Sequence, residues 1–123
     1  MVINTTHLNH ESIRIHCVKK QDVEECFPFD ETVLVFKTGG KIFALLPLDS
    51  NPPQVNLKCD PDLALELRER YDFVQPGFHM NKKHLNTVIC DGRASSKDVK
   101  SWIDHSYELI HASLPSAKKK VKK

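Results

Sequence analysis

The residue types that carry chemistry are plentiful in this chain, so their spacing is the first test. Its 123 residues include seven histidines, four cysteines and 16 acidic residues. A zinc site needs ligands at close, recurring intervals. No HxH, HExxH or Cys/His pair at ligand spacing occurs. His79 and His84 lie five apart and could converge across a turn. Two polar residues flanking a basic turn is the commoner arrangement. Asp104, His105 and Ser106 have the types of a hydrolytic relay. Consecutive helix positions point to different faces, so these three cannot act on one another. The acids Asp22, Glu24, Glu25, Asp30 and Glu31 surround Cys26. Negative neighbours raise a thiol pKa, which makes Cys26 a poor nucleophile. A P-loop, a dinucleotide fingerprint and a nucleophile elbow are all absent. The expectation is a protein that is not an enzyme and that takes no metal and no small-molecule cofactor.

The feature that stands apart is basic. From His79 to Lys100, Lys82, Lys83, Arg93, Lys97 and Lys100 face only Asp91 and Asp98. Asn81, Asn86 and Thr87 add neutral groups suited to phosphates or base edges, and Phe78 and His79 add flat rings. A solvated basic turn is the plain alternative, and it is common. The rest of the chain is acidic. Without the five lysines between Lys118 and Lys123, 13 basic residues stand against 16 acidic ones, a net charge near −3. Affinity for a polyanion would therefore have to come from a local patch, from the tail, or from both.

The elements that must position this turn are legible in outline. The length suits one ordinary domain. No apolar run reaches the ~18 residues of a membrane span, and the first residues lack the basic-then-apolar pattern of a signal peptide. A cytoplasmic protein is expected. Its four separated cysteines are expected to be reduced, mostly as small core residues. The spacing predicts a helix from about Asn9 to Lys20, with Ile13, Cys17 and Lys20 on one stripe and Ile15 and Val18 widening it. Thr32–Thr38 and Lys41–Leu46 predict a hairpin, because Gly39-Gly40 supplies the two positive φ values of a type I′ turn. In that register Phe36 faces Phe43 and Leu34 faces Leu45, with Val33, Val35, Ile42, Ala44 and Leu46 on the other side. Gln54–Lys58 predicts a strand. Asp60-Pro61-Asp62 opens a helix carrying Leu63, Ala64, Leu67 and Tyr71 inward. Short strands are expected at Phe78–Met80 and Leu85–Cys90. A last helix is expected from Ser95 or Ser96 to about Ser113, with Trp102 packed against the sheet face that carries Phe36 and Phe43. The order α-β-β-β-α-β-β-α is that of an α+β fold, an antiparallel sheet with helices packed mainly on one face. The expected domain spans residues 1–116, followed by a disordered lysine-rich tail at 117–123.

Several stretches in unbroken order resemble the MmcQ/YjbR family. They are Phe27-Pro28-Phe29, Leu34-Val35-Phe36-Lys37, Gly39-Gly40-Lys41-Ile42-Phe43-Ala44-Leu45-Leu46 and Val55-Asn56-Leu57-Lys58-Cys59-Asp60-Pro61. They continue as Pro76-Gly77-Phe78-His79-Met80-Asn81-Lys82-Lys83-His84-Leu85-Asn86-Thr87-Val88 and Ile103-Asp104-His105-Ser106-Tyr107-Glu108-Leu109. The likeness runs from about residue 8 to 115, and Leu85 stands where the family usually has tryptophan. It implies a CyaY-like, double-wing α+β fold. It also implies the DNA binding by which the family's members are described, largely on the strength of that fold. On this similarity the nucleic-acid-binding candidates are Lys58, His79, Asn81, Lys82, Lys83, His84 and Asn86.

The resulting expectation is a non-enzymatic DNA-binding protein, regulatory in role, that uses the basic turn at 79–87. Two other readings stay open. The hairpin from Val33 to Leu46 is apolar on both faces and could serve a protein partner. The acids between Asp22 and Glu31 could hold a hard cation weakly, as in a frataxin-like metal binder of the same fold class.

Overall fold

A computed structural model describes residues 8–77 and 84–115. Helix α1, His10–Val18, starts at Asn9, whose side chain accepts from the Ser12 N–H while Ser12 returns a bond to the Asn9 N–H. That reciprocal cap satisfies two of the donors a helix start leaves open. Ile13, His16 and Cys17 form its buried side, and Ile15, expected to widen that side, is exposed. Strand β1 is Val23–Cys26, within the stretch read from sequence only as acidic. Strands β2, Val33–Thr38, and β3, Lys41–Pro47, form the expected hairpin, with φ of 59° at Gly39 and 83° at Gly40. Strand β4 is Gln54–Lys58, as expected. Helix α2, Pro61–Arg70, is capped by Asp60 with Pro61 in its first turn. Strand β5 is Val74–Pro76 and strand β6 is Leu85–Ile89. Helix α3, Ser96–Ala112, is capped by Ser95. The strand expected at Phe78–Met80 lies outside the described residues.

The six strands form one antiparallel sheet in the order β1-β2-β3-β4-β6-β5. The two edges are guarded differently. Edge strand β1 carries Glu24 and Glu25, and edge strand β5 is three residues long and ends in Pro76. All three helices pack on one face. There Ile13, Cys17, Ala64, Leu67, Val99, Ile103 and Tyr107 meet Leu34, Phe36, Phe43, Ala44, Leu46, Val55 and Leu57 in one core. Each large apolar side chain buried this way contributes about 1.5–3 kcal/mol. Among the described residues, no helix is long and apolar enough to cross a membrane.

Two expectations about the core fail for definable reasons. The hairpin register slips by one at Phe36/Lys37, so that Phe36 pairs with Ala44, Val35 with Leu45 and Leu34 with Leu46. Phe43 is the extra residue of a bulge, which lets Phe43 and Ala44 both enter the helix-side core. Leu45 thereby moves to the opposite face, where it clusters with Val35 and Leu85. Trp102 is only partly buried, and it packs on Tyr71 and Phe73 rather than on Phe36 and Phe43. Tyr107 takes the expected place, edge-on to Phe43 at 5.3 Å.

Candidate nucleic-acid interface

Lys58 is the last residue of β4, and the way its strand ends shapes the site. β3 and β4 pair only at Ala44–Leu57 and Leu45–Asn56. One step further, the Lys58 N–H does not meet a carbonyl of β3. It donates to the Ser106 hydroxyl of α3 at 3.0 Å, and that hydroxyl donates to the Phe43 carbonyl at 2.5 Å. A fully buried serine thus replaces one direct rung of the ladder and holds the two strands apart.

Beside this parting lies an open groove of about 490 Å³. Lys37, Lys41 and Lys58 line it, with Ile42 beside them and Ile110 and Ser113 of α3 as the far wall. Lys41 is exposed, and Lys37 and Lys58 are half-buried. None of the three lysines has an ion-pair partner among the described residues. Glu24 is the nearest acid by register, opposite Lys37 across β1 and β2.

The residues expected to bind do not all converge here. Lys58 lies in the groove. The His84 carbonyl accepts from the Cys59 N–H at 2.7 Å, one residue beyond Lys58, but His84 is not part of the groove's lining. Asn86 corrects the expectation. It is 2% exposed, its Oδ1 accepts from Arg68 Nε at 2.6 Å and its amide donates to the Ala64 carbonyl. Asn86 anchors α2 to β6, and its side chain cannot reach a ligand. His79, Asn81, Lys82 and Lys83 lie outside the described residues. Lys97 and Lys100 stand on the first half of α3, about 15 Å or more along the helix from Ile110. Arg93 is tied to Asp91 and lies over the Phe73 ring.

Lys37 and Lys41 were not singled out from the sequence. Their one signal is symmetry, since they bracket Thr38-Gly39-Gly40 and so emerge together at one end of the hairpin. Other chemistry has little support nearby. The cavity under Lys58 and Trp102 measures about 10 Å³, room for about one water. Burial pushes the Cys17 and Cys90 thiols up to about 12 and Cys59 to about 11, far from nucleophilic. Of the acids around Cys26, Glu25 is held by Arg14 in a two-bond fork, and Asp30 accepts from Thr32, which lowers its pKa. Among the described residues, no group of three or more His, Cys, Asp or Glu side chains could hold a metal ion.

The family model described as YjbR matches residues 18–109. The uncharacterized protein YbdF of Escherichia coli O157:H7 is 37% identical over 101 residues, covering 82% of this chain and 83% of that protein. The uncharacterized protein YjbR of Escherichia coli strain K12 is 32% identical over 106 residues, covering 86% and 90%. The crystal structure of Deinococcus radiodurans protein DR2400, a DUF419 domain, superposes with a TM-score of 0.87 at 31% identity, covering 94% of this chain and 88% of that one. A crystal structure from Pseudomonas syringae gives a TM-score of 0.72 at 26% identity, covering 84% and 99%.

Proposed function

The chain belongs to the YjbR family, and from that premise we propose that it is a non-enzymatic DNA-binding protein whose contact surface is the lysine-lined end of the sheet. The observation that carries the reading is the groove itself. It gathers cations on a body whose remaining charge is acidic. The sequence candidates Lys82 and Lys83 lie outside the described residues and belong to the same proposal through the family resemblance alone. Lysine ammonium groups bind phosphates as point charges, and such contacts set affinity without reading sequence. Among the described residues, Lys58 is the inherited candidate that lines the groove.

The test is a fluorescence-anisotropy titration of a labelled duplex at several salt concentrations. Each neutralised phosphate contributes about −0.9 to the slope of log K against log salt. Lys82→Ala with Lys83→Ala should flatten the slope by about 2 and weaken unrelated duplexes alike. No binding by the full chain at ~100 μM and low salt, looser than ordinary non-specific affinity, would sink the reading.

A protein partner is the second reading, and its surface is elsewhere. Phe27, Phe29 and Leu48 are 49%, 56% and 40% exposed. Phe27 and Phe29 follow the end of β1, and Leu48 follows β3 at the open end of the hairpin, where its N–H donates to the Thr32 carbonyl. That end is opposite the Gly39-Gly40 turn, so the two surfaces can be mutated separately.

A further inference from the structure

We infer that the groove formed by Lys37, Lys41 and Lys58 is a sequence-independent clamp for the backbone of duplex DNA. The inference rests on the DNA reading above and deepens it. It adds two lysines from the hairpin turn and names the form of nucleic acid they hold.

Charge decides first that the occupant is an anion. Three lysines line the groove. The opposing terms are smaller. The end of α3 forms one wall, and a helix C-terminus carries roughly half a negative charge. Its carbonyls are partly closed off, since Ile110 O accepts from the N–H and Oγ of Ser113, and His111 O accepts from the Leu114 N–H. Glu24 opposes Lys37 across the strands. Asp22 precedes the Val23–Thr38 rung at the same end, and three positive charges still exceed two carboxylates and about half a dipole charge.

The lining then selects the form. Among the described residues its lining offers, apart from the lysines, Ile42, Ile110, Ser113 and the Gly40 backbone, and no aromatic ring. Proteins that hold single strands use aromatic platforms on which the bases stack. A duplex keeps its bases stacked on one another and presents phosphate and sugar, which the groove's described lining suits. The opening is also preset. Ser106 keeps β3 and β4 apart through bonds to Lys58 N and the Phe43 carbonyl, so the backbone that carries Lys58 is fixed before any ligand arrives.

The experiment compares double variants of the full chain in the same anisotropy titration. Lys37→Ala with Lys41→Ala should reduce the salt slope by about 2, from roughly 0.9 per lost contact. Lys37→Arg with Lys41→Arg should keep the slope, which separates lost charge from misfolding. Lys97→Ala with Lys100→Ala removes the same charge far from the groove and should change the slope by much less. A single strand of equal length should bind more weakly than the duplex. An unchanged slope in the Lys37/Lys41 alanine pair overturns the inference. So does an equal change in the Lys97/Lys100 pair, or tighter binding of the single strand. In each of those cases the wild-type protein still binds DNA, so DNA binding stands while the groove is removed as its contact surface. Absence of wild-type binding removes both.

Discussion

His16 shows how one buried side chain gives the molecule a pH dependence. It is 7% exposed on α1, and its Nε2–H donates to Asp104 Oδ1 of α3 at 2.7 Å. Its Nδ1 is buried without a hydrogen-bond partner. A second proton would have to sit on that nitrogen, where it finds no acceptor. Burial is the main cause that lowers the His16 pKa. The bond to Asp104 pulls the other way, while Lys20 and Lys19 reinforce the burial. A lowered histidine favours the fold while the ring is neutral, because below the ordinary value of 6.5 the unfolded chain takes up the proton first. Stability from His16 is therefore complete above about pH 6.5 and is lost as pH falls toward the folded-state value. The urea midpoint should drop across that window, and His16→Gln should flatten the drop. An identical pH profile for the variant would remove His16 as the cause. Asp104, shared with Lys20, has its pKa lowered although burial alone would raise it, because the bonds from Lys20 and His16 outweigh the burial. Its contribution disappears only at more acid pH. The run Asp104-His105-Ser106 was legible at this scale. Asp104 turns to α1, His105 faces the Asp60 N–H of the α2 cap, and Ser106 enters the sheet. Three neighbours with three separate partners are what helical geometry requires.

Among the elements, the hairpin turn is the most constrained. Gly39 adopts φ +59°, and a Cβ there would lie 2.4 Å from a terminal methyl of Leu114. The first effect is backbone strain, about 1–2 kcal/mol for a residue in the left-handed region. The second is a clash with a flexible side chain, which can partly move aside. Gly39→Ala should cost more than the strain alone, and in a Leu114→Ala background its cost should fall to the strain. Chemical denaturation of the four proteins measures that coupling, and additive costs would mean the turn and the end of α3 are independent. The turn was readable because two glycines between apolar runs have few other uses. The bulge was not, since Ile42 to Leu46 is continuously apolar and gives no alternation from which to tell the faces apart. β1 escaped notice because Val-Glu-Glu-Cys is an edge strand whose acids face water. β5 escaped because three residues ending in proline carry almost no period. Trp102 was misplaced because helical spacing gives the buried side of α3 but not which neighbour lies beneath each turn.

At the scale of the whole molecule, the candidate site was the least legible part. Lys37, Lys41 and Lys58 become neighbours only through the strand order and the seat of α3, which no local pattern specifies. The serine that spaces β3 from β4 has a consequence beyond the groove. Because α3 supplies a rung between two central strands, the helix cannot lift away without breaking the sheet's own bonding. Helix and sheet should then open as one cooperative unit. Native-state hydrogen exchange reads this directly through the Lys58 amide. At the end of a strand it would ordinarily fray. Bound to Ser106, it should exchange as slowly as the Leu57 amide, at the rate set by global unfolding. Ser106→Ala leaves that N–H and the Phe43 carbonyl without partners, a loss of about 1–3 kcal/mol. The Lys58 amide should then exchange roughly five- to a hundredfold faster than in the wild type. Rapid exchange of Lys58 in the wild type would instead mean that α3 detaches on its own, leaving the sheet intact beneath it.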